Sequence, residues 1–74
     1  MKYAMKTVKG RDKNGNTTYT AMCQGKRFKQ QKILPLSDIS NHLSVANQLR
    51  EKLKLDTVLT GAEYDDKTMF FVSY

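Results

Sequence analysis

Lysine, arginine and amide side chains crowd the first half of this chain, and the chemistry they offer is the binding of anions. The tract Gly25-Lys26-Arg27-Phe28-Lys29-Gln30-Gln31-Lys32 is joined by Lys6, Lys9, Arg11 and Lys13. Lys and Arg neutralise phosphates and release condensed counterions, while Gln, Thr and Asn hydrogen-bond to phosphate oxygens or base edges. Lys6, Lys9, Arg11, Lys13, Lys26, Arg27, Lys29, Gln31 and Lys32 are therefore the candidate contacts to nucleic acid or to an acidic protein surface.

No other set of residues reaches that level. His42 is the sole histidine, so it has no second imidazole with which to share a metal, and it reads as a surface or boundary side chain with Asp38 four residues earlier. Glu63, Asp65 and Asp66 crowd one turn, too few ligands for a magnesium site and without a nucleophile beside them. Asp12-Lys13-Asn14-Gly15-Asn16 has oxygens at alternate positions, as calcium loops do. Its glycine comes fourth rather than sixth, and Cys23 stands where a bidentate Glu belongs. Cys23 is the only cysteine, which rules out a disulfide within the chain and reads as a small apolar side chain. No catalytic residue, metal site, cofactor or small-molecule ligand is expected, and an enzyme is not expected.

Charge is distributed unevenly. The formal net charge is +6 over 74 residues. Residues 1–34 carry nine Lys or Arg against Asp12 alone, a balance of +8, and residues 35–74 carry four against six acids, a balance of −2. Such asymmetry favours a surface for nucleic acid or an acidic protein. The opening MKYAMKTVKG places lysines where a signal peptide needs its apolar run, and the longest apolar run is Met69 to Val72. A reducing cytoplasm without membrane contact is the expected home.

The elements that must position the cations follow from periodicity. Ser37 to Leu55 predicts one amphipathic helix, with Ile39, Leu43, Ala46, Leu49 and Leu53 on its buried stripe and Ser40, Asn41, Ser44, Asn47, Gln48 and Glu51 facing solvent. Ser37 or Asp38 caps its start, and Arg50, Lys52 and Lys54 suit the negative pole of its dipole. Strands are predicted at Lys2–Lys9, Thr17–Gln24, Lys26–Ile33, Thr57–Gly61 and Thr68–Tyr74. Asn14-Gly15 supplies the positive φ angles of a tight hairpin turn, and Gln24-Gly25 offers a second turn. Alternation sends Tyr3, Met5, Tyr19, Ala21, Cys23 and Phe28 toward the helix and Lys6, Thr18, Thr20, Met22, Arg27, Lys29 and Gln31 to the opposite face. An offset of one residue would bury Lys6, Arg27 and Lys29 instead, at far greater cost.

The run Met69-Phe70-Phe71-Val72 has no alternation, which places the last strand centrally. If Met69 and Phe71 were exposed instead, they would form an interface for a protein partner or a second copy of the chain. Gly10, Asp12, Asn14, Thr17 and Tyr19 are echoed 51 residues later by Gly61, Glu63, Asp65, Thr68 and Phe70, so Tyr19 and Phe70 are both expected inward.

The expected fold is thus α+β: an antiparallel sheet of about five strands, in the order β-β-β-α-β-β, packed on one helix. It forms one domain over 1–74, with a basic N-terminal half (1–34), the helix (37–55) and a C-terminal hairpin (57–74). Three strands followed by a helix resembles, in element order alone, the small sheet-reading domains of some plant transcription factors and the amino-terminal arms of integrases. That resemblance transfers no residue. Duplex nucleic acid is the expected partner, because Phe28 points inward and leaves the basic tract few aromatic rings for stacking single strands. Six or more phosphate contacts would cost roughly a thousandfold in affinity between low and moderate salt. The alternative is a small regulator or inhibitor, of the kind encoded by bacteriophages and mobile elements, that covers a polymerase, nuclease or other nucleic-acid enzyme.

Overall fold

A computed structural model describes residues 3–55 and 59–73. The elements are β1 (Ala4–Arg11), β2 (Thr17–Cys23), β3 (Lys26–Gln31), α1 (Asp38–Lys52), β4 (Leu59–Glu63) and β5 (Thr68–Ser73). All five strands form one antiparallel sheet in the order β3-β2-β1-β5-β4, and the single helix makes the fold α+β. The fourth strand continues past the expected Gly61 to Glu63, and residues 57, 58 and 74 of the predicted hairpin, like Lys2 of the first strand, lie outside the described residues.

Turn chemistry sets the register of the basic half. Gln24 and Gly25 both take positive φ, 53° and 76°, forming the two-residue turn whose twist matches that of the flanking strands. At the first hairpin only Gly15 is left-handed, with φ 83°; Asn14 is not. Instead of a two-residue turn, the Gly15 amide donates to the Asp12 carbonyl at 3.0 Å, and Asp12 Oδ1 accepts from the amides of Asn14 and Asn16, both at 2.9 Å. The carboxylate thus holds the loop that resembled a calcium site.

Alternation is borne out on the helix side of the sheet. Tyr3, Met5, Tyr19, Ala21 and Cys23 are buried there with Met69 and Phe71, and Phe28 is half-buried at the margin under Lys52, whose Nζ lies 5.0 Å from the ring centroid. β5 lies between β1 and β4, as its apolar run implied. Met69 and Phe71 are core residues, exposed by only 6% and 2%, so they offer no interface. The Phe71 ring lies across Gly61, 2.5 Å from where a β-carbon would be, so only glycine fits opposite it on β4.

The helix corrects the expected stripe. Ala46 and Leu49 are buried, but so are Asn41, His42 and Val45, whereas Ile39 and Leu43 are 53% and 41% exposed. The buried face is rotated toward polar residues because each finds a partner. Asn41, expected in solvent, is 2% exposed and closes four hydrogen bonds. Its Oδ1 accepts from the Ile33 amide at 2.8 Å, and its Nδ2 donates to the carbonyls of Ile33, Leu36 and Ser37 at 3.2, 3.2 and 3.0 Å. The loop from β3 to α1 is thereby fastened to the helix's first turn, where Ser37 Oγ accepts from the Ser40 amide as the N-cap. At the other end Lys54 takes φ 57°, with its amide on Glu51 O and the Leu55 amide on Arg50 O, both at 3.0 Å. This is a Schellman closure with lysine at the position glycine favours.

Two variants test these joints. Asn41→Ala removes four hydrogen bonds from a buried loop and is expected to lower stability by about 2–4 kcal/mol in urea titrations. Lys54→Gly relieves a left-handed lysine and is expected to raise it by about 1 kcal/mol; unchanged stability would show that the backbone there carries no penalty.

Candidate functional site

Among the described residues the one helix lies on one face of the sheet and leaves the other uncovered. Register places Lys6, Val8 and Gly10 of β1, Thr18, Thr20 and Met22 of β2 and Arg27, Lys29 and Gln31 of β3 on that open face, with Thr68, Phe70 and Val72 of β5 and Ala62 of β4. One cross-strand row reads Arg27, Met22, Lys6, Phe70, Ala62. The next reads Lys29, Thr20, Val8, Thr68. Lys6, Arg27, Lys29 and Gln31 are exposed, while Thr18, also on this face, is buried beside Gly10. Among the described residues no acidic side chain stands on this face by register; Asp12 sits in the hairpin loop at its margin, within the field of Lys29.

The nine expected contact residues do not form one surface. Lys6, Arg27, Lys29 and Gln31 share the open face. Lys9 and Lys32 converge instead on Asp38, at 3.2 and 3.9 Å on the helix side. Lys26 ends the register on that same side, and Arg11 and Lys13 lie at the first hairpin. Lys9, Gly10, Arg11, Thr17, Asp66 and Lys67 line a cleft of about 470 Å³ between the tips of the two hairpins. Three cations against one carboxylate suit it to an anionic group.

Asp38 is the hub of a second polar cluster. Its Oδ1 accepts from the Tyr19 hydroxyl, and Lys9 Nζ reaches both its oxygens at 3.2 Å. The Tyr19 hydrogen bond and then that of Lys9 hold its carboxyl below the usual carboxylate range. Tyr19 moves the other way, raised first by burial and then by the carboxylate it serves. His42 is not at the surface: it is 3% exposed, stands edge-on to Tyr19 at 4.9 Å, and its Nδ1 lies 2.7 Å from Thr7 Oγ1. Asp38, the expected partner of His42, is occupied by Tyr19 and Lys9. Burial lowers the affinity of His42 for a proton, with the charge of Asp38 opposing and that of Lys9 assisting. Burial also pushes the Cys23 thiol up, which makes it a poor nucleophile. Asp65 holds its own turn by accepting from the Lys67 amide at 2.8 Å.

Two features were missed by the sequence reading. Phe70, expected inward, is 39% exposed on the open face, and Tyr64, 73% exposed, stacks edge-on against it with centroids 5.5 Å apart. The paucity of aromatic rings near the cations therefore does not hold once strands are aligned, since Phe70 is the direct cross-strand partner of Lys6. Leu34, Leu36, Ile39 and Leu43, in the loop before the helix and its first turns, are also exposed.

The buried histidine carries a pH test. Because its folded proton affinity lies below the ordinary value near 6.5, the unfolded chain binds the proton more tightly. Stability from this source is full above pH 6.5, falls as pH drops through the folded value, and levels off below it. The thermal midpoint is expected to fall between about pH 7 and pH 5, and its margin over His42→Gln to narrow across that window. A margin independent of pH would mean that His42 titrates alike in both states. Asp38 acts in a lower window, below its ordinary carboxylate value.

No helix among the described residues is long and apolar enough to cross a membrane. No family model, curated protein or solved structure matches this chain.

Proposed function

We propose that this chain binds nucleic acid through the open face of its sheet. The observation that carries the reading is the sign of that face: Lys6 on β1 and Arg27 and Lys29 on β3 stand exposed on either side of β2, and no acid shares the face among the described residues. Strands lie about 4.8 Å apart, so the guanidinium of Arg27 and the ammonium of Lys6 originate about 10 Å from one another across β2. Arg27 can meet a phosphate with two parallel N–H donors, Lys6 and Lys29 act as point charges, and Gln31 and Thr20 add neutral hydrogen bonds.

Three cations, rather than nine, define the expected salt response. With a slope near 0.7 per contact for single strands or 0.9 for duplex, three phosphate contacts weaken binding roughly 20- to 40-fold between about 50 and 200 mM salt. This replaces the thousandfold expected from six contacts. Fluorescence anisotropy with labelled DNA and RNA measures it. Arg27→Glu with Lys29→Glu is expected to abolish binding at low salt. Lys52→Glu with Lys54→Glu, an equal change of net charge at the C-terminal end of the helix, is expected to leave most of it. Equal losses in both pairs would reduce the effect to net charge, and no binding by the folded protein at low salt would sink the reading.

A second reading, a protein-binding regulator or inhibitor, is favoured by a different observation. Leu34 is 78% exposed, and Leu36, Ile39 and Leu43, all within the next nine residues, are exposed as well. Exposed apolar side chains suit a protein surface better than a phosphate backbone.

A further inference from the structure

Resting on the nucleic-acid reading, we infer that the occupant of the open face is a single strand, with its bases stacked on the Phe70–Tyr64 pair and its backbone on Lys6, Arg27 and Lys29. A duplex hides the faces of its bases and offers phosphates and groove edges, so aromatic rings contribute little to holding it. A single strand exposes both parts of each nucleotide. It is held best where cations and ring faces alternate over a short distance.

The row across the middle of the open face sets two cations beside a ring. Arg27, Met22, Lys6 and Phe70 follow one another on β3, β2, β1 and β5, a span of roughly 14 Å at the normal strand spacing. Lys6 and Phe70 are direct partners, so a base lying on the ring brings its phosphate within reach of an ammonium group. Phe70 and Tyr64 stand at 89° to each other, so the two rings present their faces in different directions. Tyr64, following β4, closes the apolar end of the row. Met22, between Arg27 and Lys6, and Val8 and Val72, two residues along from Lys6 and Phe70 on their strands, are half-buried and apolar, a surface suited to the flat side of a base.

The chain contains no tryptophan, so Phe70→Trp places a single reporter on the platform. Titration with unlabelled single strands of about 12 nucleotides, DNA and RNA, is expected to quench its emission as bases stack, and the matched duplex is expected to leave it bright. In anisotropy, the wild-type protein is expected to bind the single strand more tightly than the duplex. Phe70→Leu, which keeps an apolar side chain in the sheet but removes the ring, and Tyr64→Ala are each expected to weaken single-strand binding roughly five- to a hundredfold. Both should melt cooperatively, with duplex binding unchanged. Binding in which the duplex equals or exceeds the single strand, with Trp emission unaffected, overturns the single-strand assignment and leaves the basic face standing. Absence of binding to every nucleic acid overturns both.

Discussion

The structure depends on the four hydrogen bonds made by the side chain of Asn41. β3 is an edge strand, and the chain must turn from it onto one face of the sheet within six residues, 32–37. Asn41 supplies the donors and acceptor that this irregular backbone cannot find for itself. With that turn fixed, the helix lies on β1, β2 and β3, and its first turns bring Asp38 and His42 over Tyr19 and Thr7. The same constraint decides which side of the sheet is covered. The second face stays open because the helix is committed to the first.

Division of labour between the two faces is mainly electrostatic. On the helix side cations meet a carboxylate, and every buried side-chain polar atom among the described residues has a hydrogen-bond partner. Asp38 there draws Lys9 and Lys32 away from solvent-facing work. On the open side, among the described residues, Lys6, Arg27 and Lys29 form no ion pair, and the acid within the field of Lys29 is Asp12 in the hairpin loop at the margin. Unpaired exposed cations gain little for folding, and their field is free to act on something outside the molecule.

Period-two alternation made most of the sheet legible in the sequence, because a wrong register would have buried three cations. The interior of the helix was not legible. An apolar pattern favours Ile39 and Leu43, yet Asn41 and His42 displace them because their partners, Ile33 to Ser37 and Thr7, meet them only in the folded chain; Thr7 and His42 stand 35 residues apart. Hydrophobic spacing cannot register a hydrogen bond across that distance. Phe70 failed for the opposite reason. A continuous apolar run reads as buried on both sides, while here β5 is central in the sheet but covered on one face only. Of the candidate site, the cations of β3 were legible and their aromatic neighbours were not, since Lys6 and Phe70 become neighbours only through the β1–β5 ladder.

That ladder also has a kinetic meaning. It pairs Ala4 with Val72, residues 68 apart in the chain, at the middle of the sheet. Closing a loop of that length costs about 4 kcal/mol of chain entropy beyond the fixed part, before any contact across the seam returns it. Non-local pairing of this kind slows folding relative to a meander of the same size. The β1-β2-β3 meander carries the cations and the β4-β5 hairpin carries the rings, so a chain emerging from the ribosome acquires the charges first. Charges and rings come to share one face only when β1 pairs with β5.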